Sequence, residues 1–145
     1  ILKRYYQKKL YSYMEKLNSY KILVFGLPGS GKTTFARQLA VGMAYFNADE
    51  IRKMFNDFDF SMSGRLRQAE RMHCLSSLVD GSCVVDFICP FNTDRDDYDV
   101  TVWMNTIKQG RFEDTNKMFE KPNHCTFEIK NFNYDNIIKE IQNEI

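Results

Sequence analysis

Five short apolar runs along the chain have the composition of buried β-strands. They cover residues 21–25, 44–49, 82–88, 100–104 and 125–130. Segments with helical spacing fill the gaps between these runs. The predicted helices cover residues 35–40, 50–55, 64–80 and 134–145. Because strands alternate with helices, the pattern predicts a three-layer α/β/α fold with a parallel sheet of about five strands.

The longest predicted helix, residues 64–80, has an apolar stripe on one face. The stripe consists of Leu66, Ala69, Met72, Leu75, Leu78 and Val79. Gly81 follows directly and is expected to end the helix as its C′ residue.

The first residues predict a separate element ahead of the core. Apolar and aromatic residues recur at helical spacing between basic ones over residues 1–19, which predicts an amphipathic helix. Such a helix more often packs on its own domain or on a partner subunit, as in a homodimer, than on a membrane or nucleic acid. With 145 residues, the chain is expected to form one domain, with residues 20–145 as its core.

Composition narrows the classes of function. A net charge of +1 gives no general attraction to nucleic acid, and no apolar run is long enough to span a membrane. No signal peptide is recognisable, and the cysteines lack the spacing of a metal site with either histidine. The cysteines are Cys74, Cys83, Cys89 and Cys125. The composition therefore favours a cytoplasmic enzyme with reduced cysteines.

The most specific motif is GLPGSGKTT at residues 26–34, which has the phosphate-binding form GxxxxGK[ST]. It lies between a predicted strand and a predicted helix, where backbone N–H groups and the helix N-terminus converge on phosphate oxygens. Lys32 is expected to reach the β- and γ-phosphates of ATP, and the Thr33 hydroxyl to ligate Mg²⁺. The expected ATP-binding residues are Gly26, Gly29, Ser30, Gly31, Lys32, Thr33 and Thr34.

Asp49 ends one predicted strand, and Asp86 follows four small or β-branched residues of the next. Ligands of parallel sheets bind at the carboxyl ends of the strands, so both are candidates for one cleft. Either can support Mg²⁺ or accept a proton from an attacking hydroxyl. The alternative is structural, because Asn47 or Asp49 can cap the following helix and either carboxylate can pair with Arg52.

Arginines form a second candidate group. Arg65 and Gln68 are three residues apart on a predicted helix and can face the same side, with Arg52 and Arg71 nearby. A guanidinium there can bind phosphate or sulfate oxygens through two parallel hydrogen bonds. A solvated charged helix face would have the same spacing, so spacing alone does not decide.

The motifs together resemble the adenylylsulfate kinase (APS kinase) family. Besides the phosphate loop, four segments match family motifs in order and spacing, and the resemblance covers most of residues 21–122. They are NADEIRKMFN, DFSMSGRLRQAERM, FICPFNTDRD and FEDTNKMFEKP. The family transfers the γ-phosphoryl group of ATP to the 3′-hydroxyl of adenosine 5′-phosphosulfate (APS), so the resemblance implies that reaction.

The resemblance also implies roles for single residues. Asp49 would lie near Mg²⁺ and the attacking hydroxyl, and two phenylalanines would stack on the substrate adenine. The implied substrate-binding residues are Arg52, Phe60, Arg65, Gln68, Ile88 and Phe112.

Four positions depart from the family pattern. Asn47 replaces an aspartate, Cys89 a serine and Gln68 an asparagine, while Asp86 stands where the family has a small residue. In addition, residues 105–111 replace a longer basic lid, whose charge Arg111 or a cation from another subunit would have to supply.

The sequence thus predicts a magnesium-dependent APS kinase of sulfate assimilation. Its catalytic residues would be Lys32 and Asp49, and its metal-site residues Thr33, Asp49 and Asp86. Two alternatives stay open. One is a kinase of the same fold for another hydroxyl, such as a nucleic-acid end, a sugar or an antibiotic. The other is a nucleotide-binding module without turnover.

Overall fold

A parallel sheet of five strands forms the centre of the computed structural model, which describes residues 19–145 together with Arg4 and Gln7. The strands lie in the order β2-β3-β1-β4-β5. Their bounds are β1 Lys21–Phe25, β2 Ala44–Asn47, β3 Cys83–Asp86, β4 Val100–Met104 and β5 Phe127–Ile129. The prediction of a parallel five-stranded α/β fold is confirmed. The helix predicted for residues 1–19 lies largely outside the described residues.

The central strand β1 is buried on both faces, which explains its unbroken apolar sequence. Ile22 and Val24 pack on one side of the sheet, and Leu23 and Phe25 pack on the other. This alternation divides the interior into two cores, one on each face of the sheet.

Six helices complete the described part of the chain. They are α1 Lys32–Leu39, α2 Ala48–Phe55, α3 Met62–Ser77, α4 Asn92–Arg95, α5 Glu113–Met118 and α6 Asp135–Glu144. Apolar residues of α1 and α6 cover one face of the sheet, and those of α2 and α3 cover the other. None of the described helices is both long and apolar enough to cross a membrane.

The predicted end of the second strand is wrong. The strand stops at Asn47, and Asp49 lies in the first turn of α2. Asn47 causes the early change, because its side-chain Oδ1 accepts hydrogen bonds from the backbone N–H of Asp49 at 3.1 Å and Glu50 at 3.2 Å. Asn47 is therefore the helix cap, and Asp49 is left with its side chain exposed.

The prediction for α3 is wrong at its ends, and its apolar face is confirmed for Ala69, Met72, Leu75 and Val79 but not for Leu66 and Leu78. The helix begins earlier because Ser61 Oγ accepts the Gly64 N–H at 3.2 Å, and it ends at Ser77, well before Gly81. Ala69 and Met72 are buried as predicted, but Leu66 is 46% and Leu78 80% exposed. Arg65 and Gln68 occupy the buried face instead, because that face also borders a polar cavity.

The strands predicted over residues 82–88 and 125–130 are shorter than expected. After Asp86 the chain leaves the sheet and turns at Cys89, which is buried and adopts a left-handed φ of 46°. The turn is held by the buried guanidinium of Arg95, which donates to the carbonyls of Cys89, Pro90 and Glu120 at 2.8–3.1 Å. One arginine thus fixes the two loops that follow β3 and α5.

Gly64 offers a test of the close packing at the start of α3. A Cβ at this position would overlap the backbone carbonyl of Asp59. We therefore expect Gly64→Ala to lower the free energy of unfolding by about 1–3 kcal/mol. Helix propensity alone would give a gain of about 1 kcal/mol for this change. Urea unfolding followed by circular dichroism measures the difference.

Gly81→Ala is the matched control, because a Cβ at Gly81 meets nothing within 4 Å. We expect this variant to unfold at the same urea concentration as the wild type. A Gly64→Ala protein that is as stable as the Gly81→Ala protein would contradict the packing described here.

Candidate functional site

The phosphate-binding motif forms the turn between β1 and α1. Gly29 and Gly31 adopt φ values of 86° and 89°, a region that L-residues with a Cβ rarely occupy. Within the described residues, no side chain caps the N-terminus of α1. The first N–H groups of this helix are therefore free to bind an anion.

Lys32 is held across the loop, with its Nζ donating to the Leu27 carbonyl at 2.9 Å. Burial lowers the pKa of Lys32 to about 8. The negative charges of Asp86 and Asp49 act in the opposite direction, and the positive charge of Arg111 lowers the pKa further. In the free chain, the carboxylates near Lys32 therefore do not fully compensate the cost of burying its positive charge. A bound phosphate would supply the missing negative charge.

A buried carboxylate lies directly behind the loop. Asp86 is 2% exposed, and its Oδ2 accepts three hydrogen bonds. The donors are Thr33 Oγ1 at 3.0 Å, Tyr45 OH at 2.7 Å and Asn47 Nδ2 at 3.0 Å. Burial and the hydrogen bond to Asp86 raise the pKa of Tyr45 to about 12, so its hydroxyl remains a donor. This cluster brings Thr33 and Asp86, two predicted metal residues, into contact.

Asn47 connects the cluster to α2, since its Nδ2 donates to Asp86 and its Oδ1 caps the helix. Asn47 and Asp86 are also direct neighbours in the register of β2 and β3. Asp49 differs from both residues, because its side chain is exposed and lines the cavity. It does not pair with Arg52, whose ion-pair partner is Asp57 at 3.9 Å.

One cavity of about 760 Å³ joins the phosphate loop to α2, α3 and the start of α5. Its lining includes all but two of the predicted site residues. The lining residues among them are Gly29, Gly31, Lys32, Thr33, Thr34, Asp49, Arg52, Phe60, Arg65, Gln68, Asp86, Ile88 and Phe112. The two exceptions are Gly26, whose backbone packs against Met104, and the buried Ser30.

Arg52 and Phe60 form one wall of the half of the cavity opposite the phosphate loop. The Arg52 guanidinium lies 4.4 Å from the centre of the Phe60 ring and donates to the carbonyls of Asp57 and Asp59. Desolvation lowers the pKa of Arg52, which is buried. Arg52 therefore both fixes the segment between α2 and α3 and presents positive charge to the cavity.

Asp57 fixes the same segment from its outer side. Arg67 donates to both of its carboxylate oxygens, and Arg71 donates to Oδ2 at 2.9 Å. These hydrogen bonds hold the pKa of Asp57 far below its usual range.

Arg71 also donates to Gln68 Oε1 at 2.7 Å, while Gln68 Nε2 donates to the Ala48 carbonyl. The Gln68 amide is thus occupied by protein partners on both sides.

Arg65 connects this wall to α5. Its Nη2 donates to Asp114 Oδ2 and to Thr115 Oγ1, both at 3.1 Å, and its Nε donates to the Phe60 carbonyl at 2.8 Å. Because Asp114 is largely exposed, an anion in the cavity can compete with its carboxylate for the guanidinium. The alternative of a solvated arginine face is wrong for Arg52 and Arg65, which are both buried.

Two aromatic rings stand at the mouth of the cavity. Phe60 is 50% and Phe112 is 56% exposed, and neither belongs to one of the two buried cores. Their rings thus have apolar surface left for a flat ligand.

The structure also brings in residues that the sequence analysis did not select. Tyr45 is the clearest case. It lies two residues before Asn47 on the same strand, and this spacing predicts that both side chains lie on one face of the sheet. Asp114 and Thr115 bind Arg65 from a distant helix, and no pattern in the sequence indicates that contact.

Solved structures with the same fold include several kinases. An APS kinase from Mycobacterium tuberculosis, in complex with AMPPNP and APS, is 20% identical with a TM-score of 0.68. The match covers 87% of this chain and 96% of that one. A shikimate kinase from Acinetobacter baumannii, in complex with shikimate, is 16% identical with a TM-score of 0.56 and coverages of 90% and 94%.

A gluconokinase from Sinorhizobium meliloti is also similar, at 16% identity, a TM-score of 0.58 and coverages of 88% and 89%. The sequence itself matches no protein-family model and no curated protein sequence. The likeness therefore establishes the fold, which is shared by kinases that act on different hydroxyl-bearing acceptors.

The pKa of Lys32 gives a test of the phosphate loop. With a pKa of about 8, Lys32 is largely neutral in the free chain at pH 9, and a bound nucleotide phosphate favours its charged form. We expect ADP binding to take up a proton at pH 9. The Kd for ADP should rise with pH above 8, by at most about tenfold per unit. Calorimetry in two buffers of different ionisation enthalpy measures the uptake.

Lys32→Ala is the control, because it removes the titrating group. We expect this variant to bind ADP more weakly and without proton uptake at pH 9. Equal proton uptake in both proteins would assign the titration to a different group.

Proposed function

We propose that this chain is a magnesium-dependent kinase that transfers the γ-phosphoryl group of ATP to the 3′-hydroxyl of APS. The observation that carries the proposal is the set of residues that line the cavity described above. The phosphate loop forms one half of it, and two buried arginines with two half-exposed aromatic rings form the other. An anionic acceptor with a flat base matches the second half.

On the ATP side, the loop N–H groups and Lys32 hold the phosphates. The residues behind the loop fit Mg²⁺, since Thr33 and Asp86 offer the hard oxygen atoms that this ion prefers. Mg²⁺ usually keeps several waters and substrate phosphate oxygens as ligands, so one or two protein oxygen atoms suffice to hold it. Magnesium, when bound, neutralises charge on the transferring phosphoryl group.

On the acceptor side, Asp49 is the proposed proton acceptor. Its carboxylate is exposed toward the cavity and is free of the buried cluster around Asp86. This separation supports a division of roles, in which Asp86 supports the metal and Asp49 orients and deprotonates the hydroxyl.

Arg52 and Arg65 are proposed to bind the phosphosulfate group, with Asp114 displaced from Arg65 by the incoming anion. Phe60 and Phe112 would stack on the adenine, and Ile88 and Gln68 would line the pocket. The product would be 3′-phosphoadenosine 5′-phosphosulfate, which would place the chain in sulfate assimilation.

A kinase for a different hydroxyl is the second candidate. The connection between β4 and α5 spans only residues 105–112 and contains no helix, so it offers little to enclose the acceptor. The shikimate kinase and the gluconokinase show that the fold serves kinases with unrelated acceptors. A module without turnover fits less well, because Lys32, Thr33, Asp49 and Asp86 lie around one cavity.

Calorimetric titration of APS in the presence of Mg²⁺ and ADP tests the acceptor. We expect binding by the wild type, and a loss of about 1–3 kcal/mol of binding free energy in Phe112→Ala, the usual value of base stacking on an aromatic ring. Phe58→Ala is the matched control, because Phe58 is equally exposed at 56% but does not line the cavity.

The control variant should bind APS like the wild type. If the wild type binds no APS but transfers phosphate from ATP to another hydroxyl compound, the second candidate replaces the first. If Phe58→Ala weakens APS binding as much as Phe112→Ala, the stacking assignment is wrong.

The division of roles between the two carboxylates has a separate test. We expect Asp86→Asn to weaken Mn²⁺ binding to the ADP complex by about 10- to 100-fold, as loss of a metal-supporting group does. Asp49→Asn should leave Mn²⁺ affinity unchanged and lower kcat by about 10²- to 10⁴-fold, as loss of a general base does. Electron paramagnetic resonance of Mn²⁺ gives the affinity.

The reverse pattern, with metal binding lost in Asp49→Asn and retained in Asp86→Asn, would exchange the two roles. A fully active Asp49→Asn enzyme would leave Asp49 with no part in proton transfer.

A further inference from the structure

The two oxygens of the Asp86 carboxylate are bound unequally. All three of its hydrogen bonds fall on Oδ2. Oδ1 accepts none from the residues that the structure describes, and it is not one of the fully enclosed polar atoms. Because Asp86 lines the cavity, Oδ1 is the oxygen that opens on it. Oδ1 is therefore the atom left for a metal ion or for a water bound to that ion.

The three donors to Oδ2 differ in what else they bind. Thr33 Oγ1 is the proposed metal ligand, so its oxygen acquires a second partner when the ion binds. Asn47 divides its Nδ2 group among Asp86 at 3.0 Å, Thr33 Oγ1 at 3.3 Å and Tyr45 OH at 3.4 Å. The single proton of the Tyr45 hydroxyl goes to Asp86 at 2.7 Å, the shortest of the three bonds. Tyr45 is thus the donor that is committed to the carboxylate.

The fold fixes the ring of Tyr45. The strand β2 pairs in register with β3, so that Tyr45 lies opposite Val84 and Asn47 lies opposite Asp86. The ring is half-buried and packs against the core that α1 and α6 cover. Because the strand and the core hold the ring, its hydroxyl determines where the carboxylate lies, rather than following it.

We propose that Tyr45 is a positioning residue for the metal. It acts through Asp86, because its hydroxyl holds Oδ2 and thereby keeps Oδ1 available to Mg²⁺ or to a water on that ion. The inference rests on the proposed function, in which Asp86 supports magnesium. It deepens that function by adding a residue to which the family resemblance assigns no role.

Loss of the hydroxyl would affect the moment at which the ion binds. Oδ2 would keep only Thr33 and Asn47, two donors that other atoms share, and the carboxylate would be freer to rotate. An oxygen that has to be ordered during binding holds its ligand less tightly than one that is already in place. The affinity for the metal is therefore the quantity that Tyr45 should change.

Tyr45→Phe tests the proposal, because it removes the hydroxyl and keeps the ring. We expect the affinity of the ADP complex for Mn²⁺, measured by electron paramagnetic resonance, to fall by about 10-fold. The Kd for ADP without metal should stay at the wild-type value, because Tyr45 does not line the cavity.

Tyr98→Phe is the matched control. Tyr98 is also buried, its hydroxyl has no partner among the described residues, and it does not line the cavity. This variant should keep the wild-type affinity for Mn²⁺. Equal losses of Mn²⁺ affinity in Tyr45→Phe and Tyr98→Phe would overturn the proposal, as would wild-type affinity in Tyr45→Phe.

A double-mutant cycle shows whether Tyr45 acts through Asp86. In an Asp86→Asn background, Tyr45→Phe should have almost no further effect on Mn²⁺ affinity. Fully additive losses would mean that Tyr45 acts independently of Asp86 and would overturn the proposal.

These measurements need no acceptor, so they separate the inference from the proposed reaction. A wild type that binds Mn²⁺ together with ADP but transfers phosphate to no acceptor would overturn the proposed kinase and not the role of Tyr45. A wild-type ADP complex that binds no Mn²⁺ would overturn both.

Discussion

The buried carboxylate of Asp86 is the interaction on which the site depends. A carboxylate removed from water is tolerated only when hydrogen bonds replace its hydration. Here Thr33, Tyr45 and Asn47 supply three such bonds to one oxygen. These donors come from α1 and β2, and Asn47 also starts α2, so satisfying one buried charge aligns the phosphate loop with the wall of the cavity. An aspartate at position 47 would place a second carboxylate beside that of Asp86, and the two negative charges would repel one another. The amide of Asn47 instead donates a hydrogen bond to Asp86, which explains why the two residues occur together.

A second polar network builds the opposite half of the cavity by the same principle. Asp57 is bound by Arg67 and Arg71, and its own carbonyl accepts a hydrogen bond from Arg52. The segment between α2 and α3 is thereby fixed without an apolar core beneath it. This leaves the Phe60 ring half exposed where it lines the cavity, and it lets the buried face of α3 carry Arg65 and Gln68.

The sequence predicts the layers of the fold and the phosphate loop well, because both follow from local rules. β1 and β4 are buried, apolar runs whose ends match their observed bounds, and the loop motif requires a strand before it and a helix after it. The start of α2 and the face of α3 depend instead on contacts between distant residues. Asn47 stops its strand because of its cap, and the face of α3 that borders the cavity carries Arg65 and Gln68, which leaves Leu66 exposed. The contact of Arg65 with α5 links positions 49 and 50 residues apart and has no local signal.

The open mouth of the cavity has a kinetic consequence. The two halves of the cavity meet at the carboxyl edge of the sheet. The hydrogen bonds around Asp86 fix one half and those around Asp57 fix the other, without any ligand. The rings of Phe60 and Phe112 remain half in solvent, and the connection that follows β4 is short. Neither ligand therefore has to enter first to assemble the site for the other. For the proposed kinase, such a geometry would correspond to a random order of substrate addition, with release of either product unimpeded by the one that remains.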